Sequence, residues 1–254
     1  MTSSSTLSGC TSSRTMSSEA RSATLIGTEV GYKVRKSADA TQPRIDIDIR
    51  GVVVVLPEDA EIDPEELLRE NAYWVLDKQD KYQTYREQAP DRRFEPGERF
   101  PYLGETHELV VEPRQKSEVV DGMIRLRRSA VAQSSVKRAL ENFYRREARE
   151  YLTDRADHHA DEIGVEYGKI EIRNQRTKWG SCSTTGTLGF NWRLMMAPPE
   201  VIDYVVVHEL THLREQSHSP KFWSLIEQIL PQYHESVKWL DQNSTKLIFD
   251  KSDL

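Results

Sequence analysis

The sequence predicts an α+β protein, with a β-rich module in its first half and a helical core in its second. Three observations carry that prediction. Short alternating or continuous apolar segments, separated by turn residues, fill the stretch from Thr24 to Arg127. The stretch from Ser134 to Ile163 contains neither proline nor glycine and reads as one long helix. A third helix is announced by the apolar run Val201 to Val207, which leads directly into His208-Glu209-Leu210-Thr211-His212.

Residues 1–23 are rich in serine and threonine and nearly free of apolar side chains, the composition of a disordered tail; no secretory-type apolar core interrupts them. Ile45-Asp46-Ile47-Asp48-Ile49 alternates with period two, and Val52 to Leu56 continues as a buried strand after Gly51. Asp63-Pro64 opens a helix, with Asp63 as N-cap and Pro64 in the first helical position, expected to run to Gln88. Pro90, Pro96 and Gly97 break the chain. Strands are then expected at Phe100–Leu103, His107–Val111, Val119–Val120 and Met123–Arg127, the last two joined by an Asp121-Gly122 turn. This pattern makes residues 24–130 a β-rich module with one long helix and residues 131–254 a second domain.

In the second domain, strands are expected at Lys169–Arg173, Thr177–Ser181 and Thr187–Asn191, with Thr184-Thr185-Gly186 as a turn. Ala197-Pro198-Pro199 starts the histidine-bearing helix. Ser219-Pro220 caps the next one, which ends before Pro231, and a last helix covers Tyr233–Asp241.

The histidine motif carries the chemistry. Positions i and i+4 share a helix face, so His208 and His212 can hold one ion, and Glu209 lies in the same turn where a general base belongs. His218 is too far along to share that face, but a tight turn after Leu213 would fold it back as a third ligand. Three protein nitrogens and an open position for water define a catalytic Zn2+ site rather than a structural one. Burying two histidines and a carboxylate beyond an apolar run is costly without such a partner.

Composition sets the outer bounds. Hydrophobic residues make up 37% and charged residues 30%, and the net charge of −6 argues against bulk nucleic-acid affinity. No apolar run approaches the roughly 20 residues of a membrane span. Cys10 and Cys182 are the two cysteines, with no C-x-x-C pair; Cys182 reads as a packed thiol, and the usage suits a cytoplasmic protein. Residues 125–155 hold nine Lys/Arg against four Asp/Glu, a pattern of a salt-bridged helix face more than of a phosphate-binding one.

Trp179-Gly180-Ser181-Cys182, Phe190-Asn191-Trp192-Arg193-Leu194, Ala197-Pro198-Pro199, Asp203 through Leu210, His212-Leu213, His218-Ser219 and Phe222-Trp223 together resemble the YgjP-like metallopeptidase family. The resemblance is densest over residues 173–225. It implies a zincin-like core in which His208, His212 and His218 are metal ligands and Glu209 is the base. The spacing of the three histidines also equals that of metzincins, but Glu215 stands where those carry glycine, and all five methionines precede the histidine helix. On a gluzincin pattern the third ligand would be Glu227; His218 is preferred because the chain must turn ahead of its capped helix.

The expected reaction is hydrolysis of peptide or protein substrates. Arg193, Tyr233 and His234 are candidates for the donor to the oxyanion, and the strand Thr187–Asn191 could offer an edge to an extended peptide. The same metal site could instead serve a nucleoside triphosphate hydrolase, with Arg173, Arg176 and Lys178 holding phosphates, although no glycine-rich phosphate loop accompanies them. A nucleic-acid-associated protease using the basic helix runs against the overall charge. A non-catalytic scaffold would have no need of Glu209.

Overall fold

The computed structural model describes residues 20–48, 51–175 and 178–250. Most of the expected tail, with Cys10, lies outside them. By contacts the chain divides into two units between Thr84 and Tyr85, whereas the sequence pattern suggested a division at residue 130.

The first unit contains β1 (Ala20–Leu25), β2 (Thr28–Ser37), β3 (Arg44–Asp48) and β4 (Gly51–Pro57) in the order β1-β2-β4-β3. The outer pairs are antiparallel and the central β2–β4 pair is parallel. Strand β1 begins at Ala20, inside the expected tail, because Ala23 and Leu25 alternate inward onto the core. That core joins Val30, Tyr32, Val52, Val54 and Leu56 to Leu68, Ala72 and Val75 from two helices, α1 (Pro64–Glu70) and α2 (Ala72–Gln88). The Asp63 side chain caps α1 by accepting from the Glu65 amide at 2.9 Å. One continuous helix was expected here. It breaks at Asn71, whose φ of −105° and ψ of 17° leave the helical region while its side-chain amide donates back to the Leu67 carbonyl.

The second unit opens with β5 (Arg99–Tyr102), β6 (Glu105–Glu112), β7 (Glu118–Val120) and β8 (Met123–Arg127), in the order β5-β6-β8-β7. Its outer pairs are again antiparallel and its central pair parallel. The first hairpins of the two sheets also share a turn: Ile26-Gly27 has φ of 48° and 82°, and Leu103-Gly104 has 49° and 81°. The two sheets are copies of one topology. Asp121-Gly122 makes the expected hairpin turn with both φ values positive.

A short helix, α3 (Arg128–Ala132), precedes α4 (Val136–Ile163), which is capped by Ser135 and ended by Gly164 in the left-handed region. Leu140, Phe143 and Tyr144, then Ala148, Leu152, Ala156 and Ala160, form its buried stripe at three- and four-residue spacing. Several basic residues on and near this helix are paired: Arg125 with Glu112, Arg138 and Arg145 with Glu141, Arg146 with Glu147, and Arg155 with Asp203.

Strands β9 (Lys169–Arg173), β10 (Gly180–Cys182) and β11 (Thr187–Asn191) form a sheet in the order β10-β11-β9. A fully buried 3-10 turn, Trp192–Met196, leads into α5 (Pro199–Thr211). The β5–β6 turn fixes that entry. The Leu103 amide donates to the Met195 carbonyl at 2.7 Å, and a Cβ on Gly104 would lie 3.0 Å from the Pro198 Cα. Helices α6 (Pro220–Ile229) and α7 (Tyr233–Asn243) complete the unit, and α5 packs against α4, β10, α6 and α7. No helix among the described residues is long and apolar enough to cross a membrane.

Helix α4 packs against α5, and Arg155 reaches across to Asp203 with paired hydrogen bonds of 2.6 and 2.9 Å. Arg155→Ala should lower the unfolding free energy by about 1–3 kcal/mol, the scale of a half-buried charged hydrogen bond. Urea denaturation would measure it, and a loss below about 0.5 kcal/mol would reduce the pair to a surface contact.

Candidate metal centre

Helix α5 is apolar on nearly all sides. Val201, Ile202, Tyr204, Val205, Val206, Val207 and Leu210 are all buried, which sets its rotation and leaves the face of Tyr204 and His208 turned toward α6 and α7. The helix ends at Thr211 with His212 as its C-cap, and the turn expected after Leu213 begins one residue sooner: the Leu213 amide donates to Leu210 and those of Arg214 and Glu215 to Thr211. The chain then reverses to the capped start of α6, where Ser219 Oγ accepts from the Phe222 amide.

That reversal brings His218 to the pair on the helix. The ligand atoms of His208, His212 and His218 lie within 4.8 Å of one another, and Nε2 of His208 is 3.1 Å from Nε2 of His218. The outward nitrogens are engaged elsewhere. His208 Nδ1 lies 3.5 Å from the Tyr204 hydroxyl, and His212 Nδ1 lies 3.3 Å from the Glu215 carbonyl, an acceptor that selects the Nδ1–H tautomer. Burial, with His212 and His218 close by, pushes His208 down to about 4, and burial also lowers His212. These two imidazoles are therefore neutral at pH 7, as metal ligation requires. Three imidazole nitrogens with inward Nε2 atoms are a donor set that fits a borderline divalent cation.

An aromatic wall supports the cluster. The ring of Phe222, fully buried, lies 4.7–5.0 Å from all three imidazoles. Trp223 stacks on His218 at 5.7 Å, Tyr233 on Trp223 at 5.7 Å, and Tyr204 on Tyr233 at 6.1 Å. The stack runs from one histidine back to the helix that carries the other two.

Glu209 is buried against β10. A Cβ on Gly180 would come within 2.6 Å of the Glu209 Cγ and closer still to its carboxylate, so a larger residue there would push that side chain from its place. Burial pushes the Glu209 carboxyl up to about 7, against the pull of Lys178. Cys182 nearby is raised by burial and by the charge of Glu209, the state of a packed thiol and not of an activated nucleophile.

Other candidates separate. Glu227 is exposed on α6 and outside the histidine cluster. Arg193 is buried, hydrogen-bonded to Asn174 and Asn191 and laid over the Trp192 ring, which makes it part of the support for the 3-10 turn. Tyr233 belongs to the aromatic wall, and the His234 ring lies 3.9 Å from it. Arg173 is bound to Glu171 and Ser181, and Lys178 is exposed; Arg176 lies outside the described residues. The expectation that β11 offers an edge is corrected: β11 is the central strand, paired on both sides, with Leu188 and Phe190 fully buried. Among the described residues β10 and β9 are the edges of this sheet, and β10 lies beside Glu209. Sequence reasoning missed Gly180 and Tyr204 as site residues. Tyr204 was detectable, since it stands four residues ahead of His208 on the same helix face; Gly180 carried no local signal.

Two solved structures are similar to part of the chain. The metallopeptidase zymogen abylysin of Pyrococcus abyssi is 23% identical over 36% of this chain and 93% of its own, with a TM-score of 0.34. The metallopeptidase zymogen jannalysin of Methanocaldococcus jannaschii is also 23% identical, over 36% of this chain and 95% of its own, with a TM-score of 0.34. None of the curated proteins compared with the chain matches it. Residues 41–243, most of the sequence and all of the histidine cluster, match the YgjP-like metallopeptidase domain, and the chain belongs to that family.

Proposed function

We propose that this metallopeptidase is a zinc enzyme with a zincin-like core, in which His208, His212 and His218 hold the ion through Nε2 and Glu209 is the general base for peptide hydrolysis. The observation that carries the reading is the convergence of three histidines, two of them neutral, with inward-facing Nε2 atoms, one residue from a buried carboxylate near neutral pKa. A zinc ion held there would supply Lewis acidity to the scissile carbonyl and lower the pKa of a water toward about 7. Glu209 takes the proton of the attacking water on its carboxylate and returns it to the leaving nitrogen. Gly180 keeps that carboxylate against β10, while Tyr204 and the Glu215 carbonyl hold His208 and His212 in the tautomer that frees Nε2.

The substrate is an extended peptide added to the free edge of β10. Asn191 donates to the Trp179 carbonyl and Ser183 donates to the Thr187 carbonyl. These bonds face the sheet, so the alternation of an antiparallel pair turns the peptide groups of Gly180 and Cys182 outward. A nucleoside triphosphate is the poorer substrate, because Arg173 is already bound to Glu171 and Ser181.

Elemental analysis should find about one tightly held zinc per chain, lost in His208→Ala and His218→Ala and retained in Glu209→Gln, whose peptide hydrolysis falls by at least about 100-fold. Zinc retained in His218→Ala but lost in Glu227→Ala would move the third ligand, and zinc lost in Glu209→Gln would overturn the assigned roles. Gly180→Ala should keep zinc and fold yet lower kcat by about 100-fold, since the added methyl displaces the base by the order of an ångström; unchanged turnover would show that Glu209 does not work from its place on β10.

The substrate class is decided with Cys182→Pro, which removes an outward donor and leaves the ladder to β11 intact. Assayed in parallel on casein and on nucleoside triphosphates, the variant should lose about 10-fold in kcat/KM on casein, the scale of one hydrogen bond. Triphosphate hydrolysis by the unaltered protein without proteolysis would sink the peptidase reading.

A further inference from the structure

Beyond the three-histidine cluster, the geometry points to a second and separate metal site on α4, formed by His158, His159 and Glu162, for a divalent cation of the zinc class. The ligand atoms of the three lie within 4.8 Å of one another. The two oxygens of Glu162 face different histidines: Oε2 lies 2.7 Å from His159 Nδ1, and Oε1 lies 3.7 Å from His158 Nε2. Spacings of three and four residues put a carboxylate and an imidazole on one helix face, and here two such pairs share one carboxylate. Two imidazoles and a carboxylate suit zinc or a neighbouring transition metal, not calcium or magnesium.

The far side of His159 supplies a second, independent observation. Its Nε2 lies 3.2 Å from the Arg155 guanidinium and 3.5 Å from Oδ1 of Asp203 on α5, the carboxylate that Arg155 holds. Partners on the far nitrogen fix the ring in place, as supporting residues do for histidines at zinc. Nδ1 is the nitrogen that faces Glu162. His159 is buried and fixed, whereas His158 and Glu162 are exposed, so one ligand is held in advance and two close over an ion arriving from solvent. Between residues 154 and 166 the chain carries Asp154, Asp157, Asp161, Glu162 and Glu166 against Arg155 as the one basic side chain, a field that attracts cations.

This site shares no ligand with the three-histidine cluster and does not depend on that cluster's function. With two imidazoles instead of three and two exposed ligands, it binds more weakly. Zn2+ titration of the metal-stripped full chain by calorimetry should resolve two binding events per chain. Glu162→Gln and His158→Ala, both at exposed positions that leave the α4–α5 interface intact, should each weaken the second event by at least about 10-fold and leave the tighter one unchanged. His208→Ala/His212→Ala should remove the tighter event and keep the weaker. A single event in the unaltered chain overturns the proposal, as does a weaker event that survives both α4 substitutions or disappears with the α5 double variant. Failure of the three-histidine assignment alone would appear differently, as a tight event that persists in the α5 double variant.

Discussion

The site depends on the rotation of α5 about its own axis. A helix turn of about 20° would carry the outermost side-chain atoms roughly 2 Å sideways, enough to separate His208 from His218. Two restraints prevent it. The buried residues of α5 and α4 share one core where the helices pack together, and the Arg155–Asp203 pair locks the contact at a polar point where sliding would break two charged hydrogen bonds. The entry to the helix is fixed as well, by Pro198 against Gly104 and by the Met195 carbonyl. Everything that the histidines and Glu209 do follows from this fixed helix.

Much of the second unit could be read from the sequence because its determinants are local. The long helix ending at Ile163, the cap at Ser219 and the i, i+4 histidine pair are written in neighbouring residues, and the structure has a helix over Val136–Ile163, the Ser219 cap and both histidines at the end of α5. The break at Asn71 was missed because a side chain bonding back to its own helix leaves no gap in the apolar pattern. The order of the last sheet was missed for a different reason. Leu188 and Phe190 read as any apolar strand, and nothing local says whether such a strand lies at an edge or between two others. Gly180 shows the limit most plainly. Its need for glycine comes from Glu209, which is distant in sequence and adjacent in space.

The two four-stranded sheets went unrecognised as copies because their sequences differ while their turns agree. Each is a pair of hairpins joined through a parallel central pair, followed by helices that cover one face. What repeats is the positive-φ turn and the in-out alternation, and both tolerate wide substitution. In the second copy the turn has acquired a further duty, since Leu103 and Gly104 bear on the entry to α5.

The aromatic stack passes through Tyr233, at the start of α7. Trp223 and Tyr204, and through them the rings of His218 and His208, lean on that one side chain from α7. Each sheet closes over a short span of chain and can form while synthesis continues. The histidine cluster is held from both sides only with α7 in place. A ring two helices further along the chain thus decides when the histidine cluster is braced on both sides.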